Sequence, residues 1–134
     1  MIHDNAKIIH LDNFKKIVAG AVVLCHGHFN VIHPGHIRYL DFARTQGEKL
    51  LVTISGDLIF EELERKHLFS EVERAEGVAY MEKVDQVILL GDKTLEDAVR
   101  KIKPDFLILG KEFEHEHYRK IQKAAEYLDS FGGQ

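Results

Sequence analysis

Short apolar runs alternate with amphipathic stretches from about position 20 onward, and that alternation predicts the elements. Val22-Val23-Leu24-Cys25 is continuous and β-branched at its start, as a strand buried on both faces would be. A Gly- and His-rich loop follows. Ile37, Leu40 and Phe42-Ala43 then recur at near-helical spacing until Gly47. Leu50 to Ile54 reads as the second strand, Val87 to Leu90 as the third and Phe106 to Leu109 as the fourth. Ser70 with Glu73 fits a capping box opening a helix to about Lys83, and Thr94 with Asp97 gives a weaker start signal for a helix ended by Pro104. A short charged helical stretch after Asp57 and a last helix reaching Asp129 complete the pattern. In the first twenty residues, Asp12 through Val18 fits a short helix packed on the outside.

Apolar strands separated by helices imply a parallel sheet covered on both faces. The expected fold is α/β, a Rossmann-like doubly wound parallel sheet in three layers, formed by residues 1–134 as a single domain with its core at 20–113. Each predicted strand is followed closely by a glycine, at Gly27, Gly56, Gly91 and Gly110. Ligands of such folds bind beyond the carboxyl ends of the strands, so a pocket belongs there.

Composition narrows the function. A formal net charge of −4 argues against a chain that wraps nucleic acid nonspecifically. No apolar run approaches the roughly 20 residues of a membrane span, and the start lacks a signal-peptide pattern. Neither nucleic acid nor membrane is therefore an expected partner. A single cysteine, Cys25, cannot form an internal disulfide, so a reducing cytoplasm is the default. Nine histidines is a high count for 134 residues, and four of them lie between positions 26 and 36.

That crowded segment reads Gly27-His28-Phe29-Asn30-Val31-Ile32-His33-Pro34-Gly35-His36. Gly27 permits a sharp turn and close approach to a ligand. Pro34 suits the first turn of a helix. Gly35 leaves the helix start uncovered, and the N–H groups there form an anion site. His33 and His36 are spaced to face the same anion, where imidazole donors would stabilise charge growing on an attacked phosphate.

The segment resembles the G-x-F-[DN]-x-x-H-x-G-H signature of the cytidylyltransferase-like superfamily, which includes glycerol-3-phosphate and phosphocholine cytidylyltransferases and heptose-phosphate adenylyltransferases. Glu73-Arg74 followed by Val84-Asp85 resembles the family's R…V-D helix. Pro104-Asp105 leading into Leu109-Gly110-Lys111-Glu112-Phe113 resembles its P-D-x-x-x-x-G-x-[DE]-[FY] segment. The resemblance implies a nucleotidyltransferase. The phosphate of a sugar- or alditol-phosphate attacks the α-phosphorus of CTP or ATP, and pyrophosphate leaves with Mg²⁺, in the service of surface glycan precursors.

Carried over by motif position, His33, His36 and Lys66 are the catalytic residues. Gly27, His28, Phe29, Asn30, Gly35, Asp57, Arg74, Gly110 and Lys111 bind the nucleotide, and no metal is held by protein ligands alone. Asn30 departs from the commoner Asp. Family members also carry a further strand and an S-T-T or S-T-S segment that contacts the phosphates. Here the chain reaches Gly132-Gly133-Gln134 where that strand would begin, so the expectation is a C-terminally truncated form or part of a longer protein. The resemblance further implies a homodimer and a fusion to, or partnership with, a sugar kinase.

Three other readings stand beside this one. A nucleotide-binding or scaffolding domain would keep the loop and lack catalysis. The Cys25, His26, His28, His33 and His36 cluster would suit zinc in an interaction module. Arg74, close to a helix start, opposes the helix dipole and so calls for a ligand or an acidic partner.

Overall fold

A computed structural model describes residues 6–15, 20–29, 32, 34–57 and 69–109. The elements are β1 (Ile8–His10), β2 (Val22–Gly27), α1 (Pro34–Arg44), β3 (Lys49–Ile54), α2 (Glu71–Ala79), β4 (Gln86–Leu89), α3 (Leu95–Ile102) and β5 (Phe106–Leu109). All pairings are parallel, in the order β1-β4-β3-β2-β5.

Alternate strand residues feed two cores, which is why the runs are apolar throughout. Val23, Cys25, Leu50, Val52, Ile54 and Val87 pack with Leu40 and Ala43 of α1 and with Ala75, Val78 and Ala79 of α2. On the opposite face Val22, Leu24, Leu51, Ile88 and Leu90 pack with Leu95, Ala98, Val99 and Ile102 of α3. The result is the expected three-layer, doubly wound arrangement.

Both predicted caps are present. Ser70 and Glu73 form a reciprocal capping box at α2, and so do Thr94 and Asp97 at α3. Helix α3 ends on Lys103, at φ 50°, directly before Pro104. Helix α2 stops at Ala79 rather than near Lys83, because Tyr80 is its C-cap and the chain then turns toward β4.

The first residues differ from the sequence reading. Instead of a helix from Asp12, Ile8–His10 forms an edge strand on β4, followed by a 3-10 turn at Leu11–Asn13. Leu11 and Phe14 from this segment plug the α3 side of the core. Residues 16–19, the charged stretch after Asp57 and the last predicted helix lie outside the described residues.

The chain steps from β2 to β3 to β4 in one direction, then returns across the other face to place β5 on the far side of β2. The carboxyl ends of β2 and β5 therefore flank the topological switch point. The fold predicts a ligand crevice there.

Candidate active site

The loop leaving β2 is built around Phe29. It takes a left-handed conformation (φ 51°) and turns its ring back over the strand end. Gly27 is needed for space rather than for a special dihedral, since a Cβ there would sit 2.5 Å from the Phe29 ring. The buried ring of Phe29 meets that of His36, with centroids 5.1 Å apart and planes at 55°. Gly35 and His36 occupy the first turn of α1. The loop, the helix start and one of the two predicted catalytic histidines are thus brought together.

Behind the loop lies a buried polar network. Arg74, 2% exposed, donates from Nη1 to the His28 carbonyl (2.8 Å), from Nε to the Phe69 carbonyl (3.1 Å) and from Nη2 to Asp57 Oδ1 (2.9 Å). Nη1 also reaches Ser55 Oγ at 3.4 Å, and that hydroxyl is 2.5 Å from His28 Nδ1. The Ser55 hydroxyl has one proton and two acceptor lone pairs, so it bridges the guanidinium and the His28 imidazole in either tautomer.

Arg74, to which the resemblance gives a nucleotide contact, forms an internal clamp joining the β2 loop to the exit of β3, with Asp57 as its acidic partner. The physical reason is burial, since a guanidinium sealed in the protein must find protein acceptors. Asp57, expected at the nucleotide, holds this clamp and keeps a third of its side chain exposed.

The neighbouring histidine, His26, is fixed by a separate pair. Thr53 Oγ1 donates to the Cys25 carbonyl (3.2 Å) and so accepts from His26 Nδ1 at 2.8 Å. Cys25 lies in the core on the α1 side, where burial outweighs the neighbouring Tyr39 hydroxyl and pushes its thiol up to about 12. A thiol so held is protonated at neutral pH and is a poor metal ligand. Among the described residues, no three His, Cys, Asp or Glu side chains converge as metal ligands would.

A cavity of about 330 Å³ opens beside the loop, lined by Phe29, Ile32, Phe69, Glu73, Arg74, Glu76 and Gly77. Its two carboxylates outnumber its one guanidinium, so it offers an anion no positive wall. His33, Asn30, Lys66, Gly110 and Lys111 lie outside the described residues. Ser55, Thr53 and Tyr39 were missed. The one sequence signal for them is hydroxyl groups within or beside apolar runs.

A parallel sheet with its topological switch between β2 and β5, and a His-bearing loop entering a helix, has the architecture of the nucleotide-binding α/β class. Residues 24–130 match the cytidylyltransferase-like family model. The chain belongs to that family and is by class a nucleotidyltransferase. It is 33% identical over 115 residues to the bifunctional protein HldE of Alcanivorax borkumensis, covering 84% of this chain and 23% of that protein. It is 31% identical over 137 residues to the bifunctional protein HldE of Geotalea uraniireducens, covering 96% and 27%. The chain thus spans about a quarter of the length of these curated relatives. Its fold is shared with a lipopolysaccharide core biosynthesis protein from Thermoplasma volcanium (TM-score 0.72, 23% identity, 87% of this chain and 92% of that one). No helix among the described residues is long and apolar enough to cross a membrane.

Proposed function

We propose that this chain moves CMP or AMP from CTP or ATP onto a small sugar- or alditol-phosphate, releasing pyrophosphate, as the nucleotidyltransferase part of a longer biosynthetic protein. The observation that carries the reading is His36 in the first turn of α1, packed on Phe29 beside the switch point of a family-typical sheet. An acceptor phosphate oxygen forms a bond to the α-phosphorus as the bond from that phosphorus to the β-phosphate's bridging oxygen breaks. In the trigonal bipyramidal transition state the extra negative charge meets the α1 N–H groups and the His36 imidazole. His33, Lys66, Asn30, Gly110 and Lys111 complete the same site in this proposal.

The family's divalent ion, taken as Mg²⁺, fits as one carried on the triphosphate's own oxygens. Such ions keep several waters and use one or two protein carboxylates. In this proposal Asp57, a third of its side chain exposed, would hold that water shell, and the ion would neutralise charge on the leaving pyrophosphate.

Relatives called bifunctional and about four times longer support partnership with a second activity, which the resemblance makes a sugar kinase. The test is pyrophosphate release from CTP and from ATP against a panel of sugar- and alditol-phosphates. Release that needs both one nucleotide and one acceptor supports the proposal. Nucleotide binding with no release under any pairing would favour the scaffolding reading.

A further inference from the structure

The last rung between β2 and β5 involves a side chain. Around β2, the amides of Lys49 and Ser55 donate to the carbonyls of Ala21 and Gly27, so the odd-numbered backbone positions of β2 face β3. The even-numbered positions therefore face β5. With His26 opposite Leu109, the His26 N–H is aimed at the Ile108 carbonyl.

The Tyr39 hydroxyl engages both groups. His26 N–H donates to it at 3.3 Å, and it donates to the Ile108 carbonyl in a short hydrogen bond. The ring packs against the core on the α1 face of the sheet. Tyr39 lies three residues after His36 on α1, so the two share one helix face. One hydroxyl thereby ties α1 to both strands that flank the switch point.

We propose that Tyr39 is a positioning residue. Its hydroxyl sets the spacing of β2 and β5 at their carboxyl ends and fixes the α1 start, with His36, over the crevice. Nucleotide binding depends on Tyr39 although the side chain points into the sheet. This rests on the nucleotide reading above, and the experiment separates the two.

Tyr39→Phe keeps the ring and removes only the hydroxyl, so the core packing that folds α1 onto the sheet is retained. Amide exchange is followed by NMR, and CTP and ATP, each with Mg²⁺, are titrated into the wild-type protein and the variant. The expected result is exchange at the His26 amide about tenfold faster, with Leu51 to Thr53 unchanged. The nucleotide preferred by the wild type binds about tenfold more weakly. Unchanged exchange at His26 overturns the proposal, and so does faster exchange with unaltered nucleotide affinity. If the wild type binds neither nucleotide while Tyr39→Phe still speeds His26 exchange, the nucleotide reading fails and the strand-spacing role stands.

Discussion

The carboxyl edge of this sheet has two halves built from the same apolar strands, and they do opposite things. Between β3 and β4 the exits close on each other. A Cβ on Gly56 would lie 1.8 Å from the Gly91 carbonyl oxygen, and Gly91 itself turns through φ 60°. Backbone packs against backbone at this point, with no space even for a methyl group on Gly56. At the end of β2 stand the imidazoles of His26 and His28, and the Tyr39 phenol of α1 bridges β2 to β5. The strands determine the sheet, and the residue or two after each strand determine where it opens.

The largest expected effect comes from breaking the joint between the halves. Arg74→Ala would leave Asp57 and the His28 carbonyl facing an empty site, costing about 3 kcal/mol of stability in urea unfolding. Arg74→Lys should recover only part of this, because an ammonium cannot reproduce the fork. A loss below about 1 kcal/mol, the range of a surface pair, would mean the clamp is dispensable.

Gly56→Ala attacks the closed half alone. The added methyl has no space, so we expect about 2–3 kcal/mol lost through backbone displacement, read by the same unfolding curve. His36→Ala attacks the open half alone. Its thermal midpoint should stay near the wild-type value while turnover falls by about 10²-fold, as on removing one transition-state donor. Equal turnover would remove His36 from the chemistry. The pair of variants sharpens the contrast, one costing stability and the other activity.

At neutral pH the smallest effect concerns Cys25 beneath the open half. Burial raises its thiol from the usual value near 9 to about 12. Between those values the unfolded chain has lost a proton that the folded chain keeps. This contribution is therefore fully present below pH 9 and declines as pH rises toward 12. Unfolding titrations of wild type and Cys25→Ala across that window should diverge with pH. A parallel pair of curves would show that the thiol is not sealed in the core.

Much of this was legible in the chain. The four apolar runs are β2 to β5, and both capping boxes were readable because their two residues are three apart in sequence. Strand β1 was not, since Ile8–His10 is three residues long and half-buried at an edge, too short for any period to register. The ends of β2 were read short because His26 and Gly27 break the apolar run, although Thr53 satisfies the imidazole inside the sheet. At the site, the H-x-G-H motif located the loop and His36. Arg74 was legible as a helix-start cation calling for a ligand or an acidic partner, but that Asp57, 17 residues away, bonds to it is a tertiary fact. Ser55 and Tyr39 carry no motif, since their roles follow from strand register.

The central claim is that the open half of the carboxyl edge is a nucleotide site. Calorimetric titration with CTP and with ATP, each with Mg²⁺, tests it most directly when wild type and His36→Ala are run side by side. The account predicts saturable binding of one nucleotide by the wild-type protein and its loss, or a large weakening, in the variant. Binding of equal strength in both proteins would place the nucleotide elsewhere and contradict the account.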